Sequence, residues 1–236
     1  MIEPVVYKSI PAVDPALVAR AAEIGVADLH EGLGVVAGRM ALMSPRMRPL
    51  NRGLCVAGQA VTAFNYPGDN LMLHMALRLA EKGQILVLTN GGGEQGALWG
   101  EMAATYAMKK GVGGIVVHGA IRDVDALSKM GSPVWSTAIS PTHPDKKSAG
   151  AVNVPIVCDG VLVNPGDVIV ADGDGVISVP RDLLATAVEN AAKRAAREVE
   201  IRGELAQGKH LFDVMGMQKS FDSLGIEIRE GAWGED

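Results

Sequence analysis

The alternation of apolar and polar positions divides the chain into short strands and longer helices. Residues 84–89 and 114–118 are brief, almost wholly apolar runs of β-formers, the pattern of strands covered on both faces. Between them Leu98, Met102, Ala103, Tyr106 and Ala107 recur at helical spacing, and Gly111 stands where a left-handed C-terminal residue is wanted. Strand, crossover helix and strand predict a parallel unit whose loops leave from one end of the sheet, the end where α/β proteins carry their chemistry.

Upstream, Asp14-Pro15 predicts a capped helix start, and Leu17, Val18, Ala21, Ala22 and Ile24 give an apolar stripe ending near Gly25. A second short helix is predicted over 26–33. Residues 40–51, rich in Pro, Arg and Met, predict a surface loop before a strand over 54–64; Arg46, Arg48 and Arg52 read as solvated surface or as a contact for an acidic substrate. Asp69 caps a predicted helix running to Lys82, with Leu71, Met75 and Leu79 as its buried face and Asn70 and His74, four apart, sharing another. His74 reads either as a partly buried, hydrogen-bonded histidine or as a ligand contact.

Downstream, a short helix from Asp123 ends at Gly131, a strand covers 133–138 and a surface loop covers 140–150, in which Lys146 and Lys147 read as solvated or as contacts for a carboxylate. Residues 156–163 and 167–179 predict antiparallel hairpins broken at 164–166 and 172–175. The second break has the acidic spacing of a calcium loop without its closing Glu, so a turn is expected. A long helix over 181–207 carries the small-residue seam Leu184, Val188, Ala191 and Ala195, and a last helix covers 210–224. With no repeat and no linker, a single α/β domain over 1–236 is expected.

Composition narrows the function classes. The 236 residues are 48% hydrophobic, enough for a good core. A net charge of −5 with 4% aromatics gives neither the basic stripe nor the stacking platform of a nucleic-acid binder. Cys55 and Cys158 lie in strand-like apolar contexts without ligand spacing, which predicts reduced core thiols. No signal-like stretch or apolar run of membrane-spanning length is present, so a cytoplasmic protein without membrane partners is expected.

The candidate chemistry lies in the central unit. Gly91, Gly92 and Gly93 allow a turn with exposed N–H groups, and the following helix start adds free donors and partial positive charge, so an anion is expected there. Glu101 is separated by twenty residues from the Arg122–Asp123 pair. By spacing alone, Asp123 is as readily a helix cap beside a surface arginine, and the glycine run a generic turn; the latter lacks the full nucleotide fingerprint, so a methyltransferase reading is weak.

An acid, twenty residues, then Arg-Asp resembles the signature of the metal-dependent pyruvate aldolases that cleave 4-hydroxy-4-methyl-2-oxoglutarate and 4-carboxy-4-hydroxy-2-oxoadipate. These are related to the regulator of ribonuclease activity A (RraA-like proteins) and often carry a dimethylmenaquinone methyltransferase label. GVADLHEGLG, PGDNLMLH and NPGDVIVADGDGV extend the likeness over nearly the whole chain. Glu101 departs from it, since the aldolases usually have Asp there.

The resemblance implies a layered α/β/β/α fold of swivelling-domain type with a central mixed sheet, in a homotrimer or homohexamer, with residues 181–224 packing on or reaching a neighbouring subunit. It implies a 2-keto acid substrate and Mg²⁺ or Mn²⁺, with Asp123 as direct ligand and Glu101 and a neighbour's Glu198 acting through water; on sequence alone Glu198 is one more charge on a solvated face. Arg122 would stabilise the enolate, Gly100, Met102 and Ala103 at the helix start would hold the pyruvyl carboxylate, and Asn70 and His74 would lie near the distal one. Oxaloacetate decarboxylation would use the same residues. A ribonuclease-binding protein without catalysis is the alternative, although such proteins tend to lose the Arg-Asp pair that this chain keeps.

Overall fold

Residues 3–234 are described by a computed structural model. The chain enters through a short strand β1 (Val5–Val6) and three helices, α1 (Pro15–Ile24), α2 (Val26–Gly32) and α3 (Val35–Ala41). The start of α1 follows its sequence, Asp14 accepting from the Ala16 N–H with proline in the first turn. α3 and strand β2 (Arg48–Pro49) replace part of the loop expected over 40–51.

The repeating part comes next: β3 (Val56–Phe64), α4 (Leu71–Leu79), β4 (Ile85–Thr89), α5 (Glu101–Lys110), β5 (Gly114–Ile121), α6 (Val124–Lys129) and β6 (Val134–Ile139). The strands β3, β4, β5 and β6 pair in parallel in that order. β7 (Ala151–Val152) runs antiparallel to β3 and carries β1, while β2 runs antiparallel to β6. The hairpin of β8 (Ile156–Cys158) and β9 (Val161–Val163) turns through Asp159 and Gly160, both at positive φ (48° and 85°), as a tight two-residue loop requires. β10 (Val168–Ala171) and β11 (Val176–Val179) form the second hairpin, β10 also pairing antiparallel with β3. The central sheet is therefore mixed.

Strand periodicity turns this sheet into layers. On β4, Leu86 and Leu88 face α4, α5 and α6, whereas Ile85 and Val87 face the hairpins. On β10, Ile169 and Ala171 join the sheet side, while Val168 and Val170 meet Ala21, Leu29, Leu184, Val188 and Ala191 from the flanking helices. The order is helix, sheet, hairpin sheet, helix: the expected α/β/β/α arrangement.

Two helix faces differ from expectation. α4 is apolar almost all round, so two phases fit its spacing; Leu73, Ala76 and Leu77 are buried, and Leu71 and Met75 are exposed. The helix stops at Leu79, because Ala80 turns to ψ 139°. On α5, Ala104 and Ala107 face the core, while Met102 and Tyr106 are 75% and 53% exposed. Gly111 is left-handed at its end, as predicted. Of the two thiols, Cys158 is buried but Cys55, just before β3, is exposed, its Sγ against the Ala22 carbonyl at 3.1 Å.

The compact unit just described extends through Ala192; a second begins at Lys193, within α7 (Leu184–Ala206). Beyond α7 the second unit holds α8 (Leu211–Val214) and α9 (Gln218–Ser223), not one helix over 210–224, because Gly216 adopts φ 65° between them. Phe212 and Phe221 meet edge to face at 6.0 Å. No described residue from 193 onward is fully buried.

Candidate active site

The C-terminal ends of the parallel strands are where the site forms, and a detour in the chain builds it. After β4 the chain does not enter α5 directly. Residues 97–99 run beside the end of β5, with Leu98 N–H donating to the Ala120 carbonyl (2.8 Å) and Arg122 N–H to the Trp99 carbonyl (2.9 Å). This pairing sets Gly100 and the first turn of α5 against Arg122 and Asp123, closing the twenty-residue separation.

Asp123 is held in an unusual way. It occupies the N-cap position of α6 but has left-handed φ 59°, ψ 35°, and its side chain caps nothing in that helix. Such a conformation in a non-glycine residue costs about 1 kcal/mol or more and persists where the surroundings impose it. The carboxylate instead turns to α5, Oδ2 accepting from the Glu101 N–H at 3.1 Å and lying 3.6 Å from Arg122 Nε. Asp123 thus does not cap α6, and the helix N–H it accepts from is the first of α5. Gly100 is extended (φ −167°), and a Cβ there would meet Asp123 Oδ2 at 2.7 Å, so the carboxylate keeps this position only because residue 100 has no side chain.

The Met102 and Ala103 N–H groups, next along α5, have no acceptor among the described residues, while Ala104 N–H returns to the Gly100 carbonyl. A cavity of about 200 Å³ opens over these donors, bounded by Arg122, Asp123, Gly100, Trp99, Asn70 and His74 and closed from the loop after β6 by Pro144 and Lys146. Asn70 Nδ2 donates to the Leu98 carbonyl (3.3 Å), which fixes the amide orientation and leaves Oδ1 buried without a partner. A buried acceptor without a donor marks a place for a water or a ligand hydroxyl.

Lys146 reaches the cavity because Asp69 ties down its loop. Asp69 Oδ1 accepts from Leu71 N–H (2.8 Å), and Oδ2 from Lys147 N–H (2.7 Å) and Ser148 N–H (2.8 Å). Burial pushes the Asp69 carboxyl up, but these donors outweigh it and hold it below the usual range. Burial, with the Lys146 charge adding, lowers the His74 pKa. Lys147 turns away to Asp145 (3.3 Å).

The structure thus gathers Gly100, Met102, Ala103, Arg122, Asp123, Asn70 and His74. It adds Trp99, which no sequence signal marked, and selects Lys146 from the two lysines. One expectation changes, and the places of two further residues are fixed within the chain. The glycine run 91–93 is not at the helix start: α5 begins eight residues after Gly93, and Gly92 instead packs on His118. Glu101 contributes its backbone N–H, its carboxylate not being among the groups lining the cavity. Glu198 belongs to the C-terminal unit, where its Oε2 accepts from Arg202 at 3.2 Å.

For a metal, the donor set is sparse. Asp123 Oδ1 has no donor among the described residues, and no group of three or more His, Cys, Asp or Glu is poised as a cage there. One carboxylate fits a hard divalent ion that keeps most of its waters and does not fit a zinc-type site.

Residues 26–178 match the model of the RraA-like family, described as Aldolase/RraA. A Halalkalibacterium halodurans protein provisionally named a 4-hydroxy-4-methyl-2-oxoglutarate aldolase is 34% identical over 154 residues, 65% of this chain and 73% of its own. An uncharacterised Methanocaldococcus jannaschii protein is 32% identical over 164 residues, 69% and 79% of the two chains. The crystal structure of Streptomyces coelicolor RraAS2, titled an unusual member of the RNase ES inhibitor RraA protein family, superposes with a TM-score of 0.74 at 31% identity, covering 81% of this chain and 98% of its own. With the layered fold and the family model agreeing over the residues that build the cavity, the chain belongs to the RraA-like aldolase/RraA family.

Proposed function

We propose that the protein is a divalent-metal-dependent carbon–carbon lyase. It cleaves a 4-hydroxy-2-keto acid, of the 4-hydroxy-4-methyl-2-oxoglutarate or 4-carboxy-4-hydroxy-2-oxoadipate type, to pyruvate and a second keto acid. The observation that carries this reading is the Asp123 carboxylate, turned from its own helix onto the first N–H of α5 beside Arg122 and two unpaired N–H groups.

The unpaired Met102 and Ala103 amides, at the positive end of α5, receive the pyruvyl carboxylate. Arg122, always protonated, faces the keto oxygen, where negative charge develops. The C4 hydroxyl loses its proton, the C3–C4 bond breaks, C4 becomes a carbonyl, and the electron pair passes to the pyruvate half as an enolate that is then protonated at C3. Asn70 Oδ1 accepts the C4 hydroxyl's hydrogen bond; Glu101, whose carboxylate lies outside the groups that line the cavity, would act only through a bridging water, by which it takes that proton and returns one to C3. Mg²⁺ or Mn²⁺, held by Asp123, would supply Lewis acidity to the keto group. In a homotrimer or homohexamer, Glu198 of a neighbouring copy would act on the same site through water. Oxaloacetate decarboxylation leaves the same enolate and is expected as a secondary activity.

The RraAS2 likeness favours a second reading, a protein that binds a ribonuclease without catalysis. Purified protein stripped by chelation and resupplied with Mg²⁺ or Mn²⁺ decides between them. Pyruvate release from 4-hydroxy-4-methyl-2-oxoglutarate and from oxaloacetate should vanish and return together. Release that survives chelation removes the metal mechanism, and none under any condition leaves the binding reading.

A further inference from the structure

Beyond His74 the cavity adjoins a groove between α4 and α5, lined by His74, Leu77, Arg78, Met102, Ala103 and Tyr106, with His74, Met102 and Ala103 common to both spaces. The groove's volume is about 470 Å³, larger than the 200 Å³ at Asp123. Its two walls differ in chemistry. α4 presents Asn70, His74 and Arg78 at successive i, i+4 positions, so a polar row leads away from the reacting centre along one side. α5 presents Met102, Ala103 and Tyr106, an apolar side that stays uncovered in this chain.

Arg78 lies two helical turns from Asn70, about 12 Å along the axis. Side chains on a helix lean toward its N-terminus, so Arg78, which lines the groove, is within reach of the turn that holds His74. The Arg78 backbone is fixed as well, since Lys110 Nζ donates to the Leu77 and Arg78 carbonyls at 2.9 and 2.6 Å. A ligand anchored by its keto-acid end at Arg122 would pass Asn70 and His74, lie on the apolar wall, and meet the Arg78 cation at the far end.

We propose that this groove is a subsite for the part of the substrate beyond C4, with Arg78 receiving a second carboxylate. The substrates it fits are 4-hydroxy-2-keto diacids in which two or more methylenes separate C4 from that carboxylate. The proposal rests on the lyase reading above for its chemistry, and the same retro-aldol step would release pyruvate and a longer oxo acid.

The test compares the parent, Arg78→Met and Arg78→Lys. With 4-hydroxy-4-methyl-2-oxoheptanedioate, which yields pyruvate and 4-oxopentanoate, Arg78→Met should raise KM at least tenfold and change kcat less than twofold, and Arg78→Lys should recover part of the loss. Oxaloacetate decarboxylation should stay within twofold of the parent in both variants. Calorimetric titration with 2-oxoheptanedioate in the presence of Mg²⁺ reads the subsite without turnover: the parent should bind it at least tenfold more tightly than pyruvate, and Arg78→Met should lose that advantage. No turnover with the binding advantage intact defeats the lyase reading and keeps the subsite. An unchanged KM and affinity, or an equal loss on both substrates, overturns the subsite. So does a change in sedimentation mass in Arg78→Met, which would assign the groove to contact between copies.

Discussion

Gly100→Ala isolates the position of one carboxylate from the rest of the fold. The backbone there is extended, at φ −167°, so alanine adds no conformational strain. The new Cβ would lie 2.7 Å from Asp123 Oδ2 and 3.1 Å from Arg122 Cγ, about 0.7 Å closer to the oxygen than ordinary contact allows. Asp123 is the part that yields, being half-exposed, whereas Trp99 and Leu98 behind Gly100 are buried and paired to β5. A shift of this size breaks the 3.1 Å bond to Glu101 N–H and separates the carboxylate from Arg122. Misplacement by about 1 Å costs roughly a hundredfold in rate, so a fall of about 10- to 100-fold in kcat/KM is expected, about 1.4 to 2.7 kcal/mol of transition-state stabilisation. Coupled-enzyme detection of pyruvate gives the rate, and a thermal melt on the same sample should move by less than a few degrees. A variant that melts normally and turns over within twofold of the parent would refute the placement of Asp123 in the reacting centre. Asp123→Asn, which keeps the shape and loses the charge, covers the case in which Gly100→Ala does not fold.

Two further outcomes follow from buried polar groups. Asp69→Ala leaves the part-buried N–H groups of Leu71, Lys147 and Ser148 without their acceptor; with water able to reach donors on these partly exposed residues, denaturant titration should show a loss of about 1–3 kcal/mol. Its depressed carboxyl pKa makes that contribution present above the ordinary carboxylate range and lost as pH falls through the folded value, so parent and variant should converge in acid. His118 is lowered by burial and by Arg46, against the opposing pull of Asp159, so the unfolded chain binds its proton first on acidification. Stability should therefore decline as pH falls below about 6.5, and His118→Gln should flatten that slope in denaturant titrations; an unchanged slope rejects the assignment.

The parallel unit was legible because β4 and β5 are apolar on both faces, whereas the Arg122–Asp123 pair stood out only through the family resemblance, its spacing alone fitting a helix cap beside a surface arginine equally well. The excursion over residues 90–100 was not. Its course is set by bonds to Ala120 and Thr142, far away in sequence, so local pattern alone places the glycine run at a helix start it does not adjoin. The buried face of α4 was ambiguous because LMLHMALRL offers apolar residues in two phases, and only contact with the sheet selects Leu73, Ala76 and Leu77. Lys146 resembles any surface lysine until the Asp69 carboxylate fixes the backbone beside it.

The central claim is that the cavity at Asp123 and Arg122 stabilises a pyruvate enolate, whichever aldol the protein takes. The most direct measurement is exchange of the pyruvate methyl protons with deuterium oxide, followed by proton NMR in the presence of Mg²⁺ or Mn²⁺. The account predicts exchange by the parent protein that chelation stops and that Asp123→Asn reduces at least a hundredfold. Exchange that persists undiminished in Asp123→Asn, or a parent with no exchange at all, contradicts it.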